Sequence, residues 1–482
     1  MAATPTAAGP HPEAQVEAAP GDGLPQPQRG RAMLVIIVGI AAAVLDGTLI
    51  NLALPGISRE LHASAAQSIW VVNAYQIATL VMLLPLAALG DLVGYRRVYL
   101  VGVVLFGVSS LVATLADSLM TLTAARALQG LGAAGIMSVN AALVRLIYPS
   151  RQLGRGMAIN SLVVATASVA GPSVAAAILS VASWPWLFAI NVPLSVLLLV
   201  LGRPSLPFNA AKPAGGSRFT ALDVLLNVLM FSLIFIGADH LGVRPGSSRD
   251  GQALGWALLL AGVAVGVLYL RRQRAFAVPL FPLDLLRIPV FALSMCTSVA
   301  AFCAQMLSYI ALPFLLLDVY GRTHLQAGLL ITAWPLGIVA MAPVAGRLIG
   351  RYPDGLLGGI GLGLMAIGLG LLALLPEQPG NLDIAWRMVL CGMGFGLFQS
   401  PNNHTIVTSP PAHRSGAASG MLGTARLTGQ TLGAVLLAAI FNGWDPHQGR
   451  GPMIALVLAA GFAAVAGVIS TLRLRAPVVV HR

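Results

Sequence analysis

The sequence predicts an all-α polytopic membrane protein, and three observations carry the prediction. Hydrophobic residues fill 57% of the 482 positions and charged residues only 9%. The mean hydropathy is +0.84, and a soluble fold keeps more charge than this on its surface. The apolar residues also come in long uncharged runs, each close to the ~20 residues that cross a bilayer as a helix. The alternating pattern of a membrane β-barrel is missing, so helices are expected to satisfy the backbone within lipid.

Taken in order, residues 1–32 are rich in Ala, Pro, Gly and Gln and are expected to form a disordered cytoplasmic tail. They are not read as a cleaved signal peptide, because the apolar run after Arg29 and Arg31 is long enough to continue as a span. Fourteen spans are expected, at 33–56, 67–90, 97–116, 119–146, 156–180, 185–202, 220–240, 252–270, 289–318, 325–349, 355–375, 384–408, 415–441 and 452–472. The first six make one bundle, within 33–202, and the last six a second, within 289–472. Residues 203–288 link the bundles and carry spans seven and eight; 473–482 form a second cytoplasmic tail.

The formal charge of +12 would suggest nucleic acid in a soluble protein. Here the Arg residues sit in short loops between apolar runs, which points to membrane topology and anionic lipid headgroups, with no nucleic-acid partner. With the N-terminus inside, Lys and Arg divide roughly three to one in favour of the cytoplasm. Arg59, Arg244, Arg249, Arg322, Arg387 and Arg450 form the minority. An odd number of spans would break this alternation. Lys212 is the only lysine; with the high Ala and Gly content this points to a GC-rich bacterial genome, and so to a bacterial inner membrane.

An internal repeat is visible. LAALGDLVGYRR (86–97) follows span two and APVAGRLIGRYP (342–353) follows span ten. Two related halves around a midplane site are common among secondary carriers.

Ionisable residues deep in a span are costly and are functional hypotheses by default. Asp46, Arg126 and Arg426 are of this kind, whereas Asp223, Asp239 and Asp318 lie near span ends, within expected reach of water. Burial disfavours the charged form of an acid. Asp46 is therefore read as a proton site or a docking point for a cationic substrate; the alternative is a packing Asp bonded to a neighbouring hydroxyl. Arg126 either tunes Asp46 or forms a fixed structural contact. Spacing alone does not say whether the two touch. Arg426 either serves a cavity or is satisfied by Gln430. Gln399, Asn402 and Asn403 either line a cavity or satisfy the backbone freed by Pro401. Gly171-Pro172 is expected to kink span five. Asp239-His240 reads as a solvated pair at a span end, with a proton-uptake role as the alternative.

Other chemistries lack their residues. Cys296, Cys303 and Cys391 lie inside apolar runs and read as small buried side chains. No metal-ligand spacing is present. The Gly run at 358–372 lies within a span and has no following Lys-Ser or Lys-Thr, so it reads as helix packing. No GxxxxGK[ST] motif, Ser-His-Asp set or HExxH is present, so the chain reads as neither an ATP-driven pump nor an enzyme.

With these motifs in place, the chain from about 33 to 472 resembles the fourteen-span drug:proton antiporters of the major facilitator superfamily. Asp46, followed by Asn51, Ala53, Leu54 and Pro55, is similar to the family's first-span motif. Asp91, Gly94, Arg96 and Arg97 resemble its cytoplasmic gating loop, with Ala87 and Leu92 as departures. Arg126, Gln129 and Gly130 match its fourth-span motif. Gly171-Pro172 matches the antiporter motif of span five, but Ala167, Ala175 and Ala176 stand where Gly is usual. The segment from Ser183 to Pro193 resembles the approach to span six, with Pro185 in place of an Arg, and Gly350 stands in the second gating loop where an Asp is usual.

The resemblance implies the major facilitator fold, with two six-helix bundles and two inserted central helices. It implies proton coupling through Asp46 and Arg126, and an inner gate at Asp91, Gly94, Arg96 and Arg97 that closes partly against a helix start near Ser415. The implied function is efflux of amphipathic, often cationic drugs or toxicants by alternating access. The partners are a small substrate, protons and membrane lipids, with no cofactor beyond the proton gradient, and the carrier works as a monomer. Two rival functions are a selective exporter of one metabolite or self-made antibiotic, and a membrane scaffold or receptor that does not transport.

Overall fold

In the computed structural model, the long apolar runs become helices and the Gly- and Pro-rich joints become turns. The structure describes residues 23–149, 152–208, 220–243, 249–274, 282, 284–410, 415–445 and 449–475. In chain order the helices are α1 (Gln28–Leu49), which continues through a 3-10 turn into α2 (Leu54–Glu60), then α3 (Ala65–Ser68), α4 (Trp70–Val93), α5 (Tyr95–Thr114) and α6 (Leu119–Ile147). Next come α7 (Leu153–Leu179), α8 (Trp186–Ala189), α9 (Asn191–Ser205), α10 (Ala221–Val243) and α11 (Arg249–Gln273). The chain ends with α12 (Pro289–Phe314), α13 (His324–Leu348), α14 (Asp354–Ala373), α15 (Asn381–Thr408), α16 (Ser415–Gly443) and α17 (Arg450–Leu472).

Among the described residues, the one β-pairing is an isolated bridge between Ile349 and Tyr352, so the all-α expectation holds. Among the described residues, twelve helical segments are long and apolar enough to cross a membrane. Two expected spans are not among them. The second half of α15 carries Gln399, Ser400, Asn402, Asn403 and His404, which lowers its hydropathy. The other is α7, of which only the end, Ala170–Leu179, enters that count, because many side chains of its first part lie outside the described residues.

The chain ends also differ from expectation. α1 begins at Gln28, ahead of 33, and the Leu24 N–H donates to the Ile147 carbonyl at 3.0 Å. Residues 23–32 are thus docked on the first bundle, while the expected tail segments 1–22 and 476–482 lie outside the described residues. Arg473, expected in a tail, is buried. It donates to Ser294 Oγ at 2.9 Å and to Asn402 Oδ1 at 2.8 Å, tying the end of α17 to α12 and α15.

The internal repeat is visible in local geometry. α3, which leads into α4, starts with a capping box of Ser64 and Gln67, and α13 starts with one of Thr323 and Gln326. Each box satisfies backbone donors that a helix start leaves free. At their far ends, α4 and α13 stop at Gly94 (φ +103°) and Gly350 (φ +81°). A side chain at either position would be strained, so both repeats turn on a glycine.

Within each bundle, glycines allow close helix approach. A methyl group on Gly361 would lie 2.5 Å from the Gly394 carbonyl, and one on Gly394 would lie 2.5 Å from the Gly361 carbonyl. The Gly run of α14 is therefore a packing surface against α15. The linker helices α10 and α11 pack as a hairpin, and α10 also rests on α4 and α16. Asn227 Nδ2 donates to the Val81 carbonyl at 2.7 Å, and Trp70 Nε1 donates to Asp239 Oδ2 at 3.0 Å. Asp239 is buried, which corrects the reading of Asp239-His240 as a solvated pair. The expectation of water at the other span-end acids is corrected too. Asp223 is buried against Arg272 at 2.8 Å, and the Asp318 side chain is only 5% exposed.

The bundles meet most closely at the end opposite the two glycine turns. There a continuous core joins residues such as Leu52, Ile69 and Phe188 of the first bundle to Leu307, Phe314 and Trp334 of the second. Ser173 and Thr332 share a hydrogen bond of 2.7 Å across the seam. A methyl group on Gly328 would overlap Ala176, so the Ala found where the antiporter motif has Gly is accommodated by a Gly on the facing helix. At the glycine-turn end, the buried clusters around Tyr99 and around Phe291 each stay within one bundle. The molecule is sealed at one end and less closely joined at the other.

This seam is testable in a variant lacking Cys296, Cys303 and Cys391. Ser173→Cys with Thr332→Cys should form a disulfide under mild oxidation, since hydroxyls 2.7 Å apart place the side chains within bridging distance. Crosslinking is read by gel shift after cleavage between the bundles. Absence of the bridge would contradict a sealed end at α7 and α13.

Candidate functional site

The site begins with Asp46, on the last turn of α1, and Arg126, on the second turn of α6. The structure brings them together: Arg126 Nη1 donates to Asp46 Oδ2 in an ion pair that is 0% and 2% exposed. The other carboxylate oxygen, Oδ1, accepts from Gln129 Nε2 at 2.9 Å and from Asn191 Nδ2 at 2.7 Å. Gln129 Nε2 also donates to Ser110 Oγ at 2.8 Å, and its Oε1 accepts from Arg126 Nη1 at 2.6 Å. Arg126 Nε donates to the Val71 carbonyl at 3.0 Å. The guanidinium lies over the Tyr75 ring, 4.2 Å from its centroid, and 5.5 Å from that of Phe188.

A buried ion pair holds only where the remaining lone pairs and protons find partners. Here the partners come from α4 (Val71), α5 (Ser110), α6 (Gln129) and α9 (Asn191). The arrangement is one bond short, because Arg126 Nη2 is buried and has no partner among the described residues. Protonating Asp46 would leave Arg126 as an uncompensated cation, so the network has two charge states with different packing needs. That is the property a proton switch requires.

Beside this network is a small, partly open cavity of about 40 Å³. α1 lines it with Ala43, Val44, Gly47 and Thr48; α4 with Tyr75, Gln76 and Thr79; α6 with Met137; and α16 with Arg426, Leu427 and Gln430. It lies between the bundles, at mid-height on the helices. Tyr75 separates it from the ion pair, and the Tyr75 hydroxyl is anchored on the Ala43 carbonyl at 2.7 Å. Asp46 does not line this cavity, and both its oxygens are engaged, which corrects its reading as a docking point for a cationic substrate. Gly171 is buried where a methyl group would overlap Thr48, and α7 runs as continuous helix through Pro172. This pair brings α7 close to the cavity wall.

Arg426 and Gln430 both line the cavity, and no hydrogen bond joins them among the described residues. The reading in which Gln430 satisfies Arg426 is thereby corrected. Gln399, Asn402 and Asn403 lie outside this lining. Asn402 is buried and donates to Ser298 Oγ at 2.7 Å while accepting from Arg473, so it holds the second bundle together. Gln399 and Asn403 are half-buried.

The gating-loop residues take up local partners. Tyr95 donates to Asp91 Oδ1 at 2.5 Å. Arg96 donates to the Arg203 carbonyl and stacks on Phe208 at 3.8 Å. Arg97 reaches the Val93 carbonyl at 3.4 Å. Arg96 and Arg97 are thus held within or beside their own bundle. α16 starts at Ser415, but the side chains of 415–417 are outside the described residues, and so is the expected docking of Asp91 there.

Several functional residues were not assigned roles from sequence. Gln129 lies one turn from Arg126 on the same helix face, a spacing that makes it a ready partner. Asn73, Gln76 and Thr79 recur every third residue of α4, a polar stripe within a span that marks a face turned away from lipid. Asn191 belongs to the segment whose resemblance to the approach to span six was its signal, without a role assigned, and Arg473 has no such local signal.

Comparisons with known proteins agree with this geometry. The profile described as Major Facilitator Superfamily matches residues 36–434. The uncharacterized transporter YebQ of Escherichia coli (strain K12) is 54% identical over 95% of this chain and 98% of its own length. The multidrug resistance protein Stp of Mycobacterium tuberculosis (strain CDC 1551 / Oshkosh) is 30% identical over 86% of this chain and 77% of its own. Among solved structures, a bacterial homolog of the human lysosomal transporter Spinster, inward-facing and unoccupied, superposes with a TM-score of 0.64. That match has 16% identity and covers 94% of this chain and 98% of the other.

The network makes a stability prediction. Arg126→Gln should destabilise the protein by about 3 kcal/mol, because it leaves a buried carboxylate unpaired. Adding Asp46→Asn in the same chain should recover much of that loss. Thermal unfolding in detergent of both single variants and the double variant measures the coupling; additive losses would show that the pair is not a unit.

Proposed function

This chain belongs to the major facilitator superfamily, and on that premise we propose that it is a proton-coupled exporter of amphipathic drugs or toxicants. It is a multi-pass membrane transporter and not an enzyme. The observation that carries the proposal is the buried Asp46–Arg126 network standing directly behind the wall of a cavity between two bundles. Such a network responds to a proton, and such a cavity is reached by a small molecule. With Tyr75 shared between them, each senses the occupancy of the other.

In the proposed cycle, the chain spans the bacterial inner membrane fourteen times with both termini in the cytoplasm. α7 and α15 serve as the two further spans, which keeps the number even and the basic loops inside. The sealed end at α7 and α13 then faces outward and the glycine-turn end inward, so the structure is an inward-facing state. Asp91, Gly94, Arg96 and Arg97 form the inner gate. Substrate enters from the cytoplasm or inner leaflet, and the bundles rock about the cavity. Proton uptake by Asp46 from outside loosens its hold on Arg126 and biases the return.

A proton moving inward across 100 mV and one pH unit supplies roughly 3.7 kcal/mol, enough for a several-hundred-fold substrate gradient. The carrier works as a monomer and needs no cofactor. Stp is a multidrug resistance protein, which supports a drug-type substrate for this chain.

The test uses inside-out vesicles with an acidic interior and a pH-sensitive dye. Addition of a substrate drug to vesicles containing the wild type should release protons, and Asp46→Asn should abolish the release while the protein still inserts. Release by Asp46→Asn at the wild-type rate, with the same pH dependence, would remove Asp46 from the coupling mechanism.

A further inference from the structure

We propose that the cavity between the bundles recognises organic anions, with Arg426 as the cation that binds the acidic group of an amphipathic substrate. The proposal rests on the transport reading above and names the substrate class of that same cavity.

Arg426 is one of three ionisable residues deep in the spans that the sequence singled out. The other two, Asp46 and Arg126, neutralise each other. Arg426 lines the cavity, its Nε is buried, and no hydrogen bond or ion pair satisfies it among the described residues. Among the described residues, the lining holds no carboxylate. The cavity therefore carries an unbalanced positive charge, in surroundings where a guanidinium requires a counter-ion or water. An anionic ligand supplies that counter-ion, and the planar fork of Arg favours a carboxylate or similar oxyanion.

The rest of the wall defines the ligand's other parts. Val44, Met137 and Leu427 give an apolar surface, and the Tyr75 ring offers a stacking face. Gln76 Oε1 is a buried acceptor without a partner, suited to a single hydroxyl or amide donor on the ligand. The inferred substrate is a monoanionic organic acid with an aromatic or aliphatic body. The membrane potential, negative inside, favours the outward movement of such an anion, so its export adds to the drive from the proton.

The experiment measures binding to the full chain in phosphatidylcholine nanodiscs by calorimetry, with no proton gradient. The probes are a naphthoate, its primary amide and the matching naphthylmethylamine. The wild type should bind the naphthoate about ten-fold more tightly than the amide, with the amine weakest. Arg426→Gln should bind the amide as the wild type does, which shows an intact cavity, and should lose the preference for the acid. Arg426→Lys should retain part of the preference. Amide or amine binding as tight as the naphthoate in the wild type would overturn the proposal. So would the lack of saturable naphthoate binding, or an unchanged acid preference in Arg426→Gln. Asp46→Asn should keep the acid preference, so failure of the proton-coupling reading and failure of this proposal are separately visible.

Discussion

An ionised side chain inside a bilayer must find a counter-charge, and the arrangement of the first bundle follows from meeting that requirement for Asp46. Its two oxygens draw donors from Arg126 and Gln129 on α6 and from Asn191 at the start of α9. Ser110 on α5 and the Val71 carbonyl on α4 then hold the donors in place. Five helices are thereby fixed around one carboxylate. Apolar packing alone does not fix them so specifically in lipid, where the hydrophobic effect between helices is weak. The same bonds make the bundle responsive, because neutralising the acid removes the partner of a fully buried guanidinium.

The second bundle is built differently. Its helices are held by aromatic and glycine packing, as at Phe395 with Phe302 and at Gly361 with Gly394. Its polar tie lies at the glycine-turn end, where Arg473 joins Ser294 and Asn402. The two bundles are related in their turns and caps, but the buried Asp46–Arg126 pair belongs to the first. This asymmetry suits a carrier in which one half titrates and the other presents Arg426 to the cavity. The α10–α11 hairpin rests on α4 and α16, the helices that supply Tyr75 and Arg426, and so braces the cavity from one side.

Much of this was legible in the sequence because bilayer physics penalises its violations. Uncharged runs located the helices, and the rarity of buried charge marked Asp46, Arg126 and Arg426. Motif resemblance marked Gly94, where a positive φ leaves little choice of residue. What was not legible depends on register between distant helices. Asn402 lies in a span like any cavity-lining residue, yet it points to Arg473, which reads as part of a tail. Asp239 sits at a helix end, where water is the natural expectation, but Trp70 from another helix covers it. Ala176 looked like a departure from a packing motif until Gly328 was found opposite. In each case the deciding partner is far away in sequence.

The central claim is that protonation of Asp46 changes the balance between two arrangements of the bundles. Pulsed electron resonance between spin labels tests it most directly. The labels replace exposed residues at the glycine-turn ends of the two bundles, Leu92 on α4 and Val407 on α15, in a chain free of other cysteines. In the wild type, the distance distribution should shift between two populations as pH falls from neutral to acidic. In Asp46→Asn, it should stay in one population across the same range. An identical pH-driven shift in both proteins would contradict the account, since the switch would then reside elsewhere.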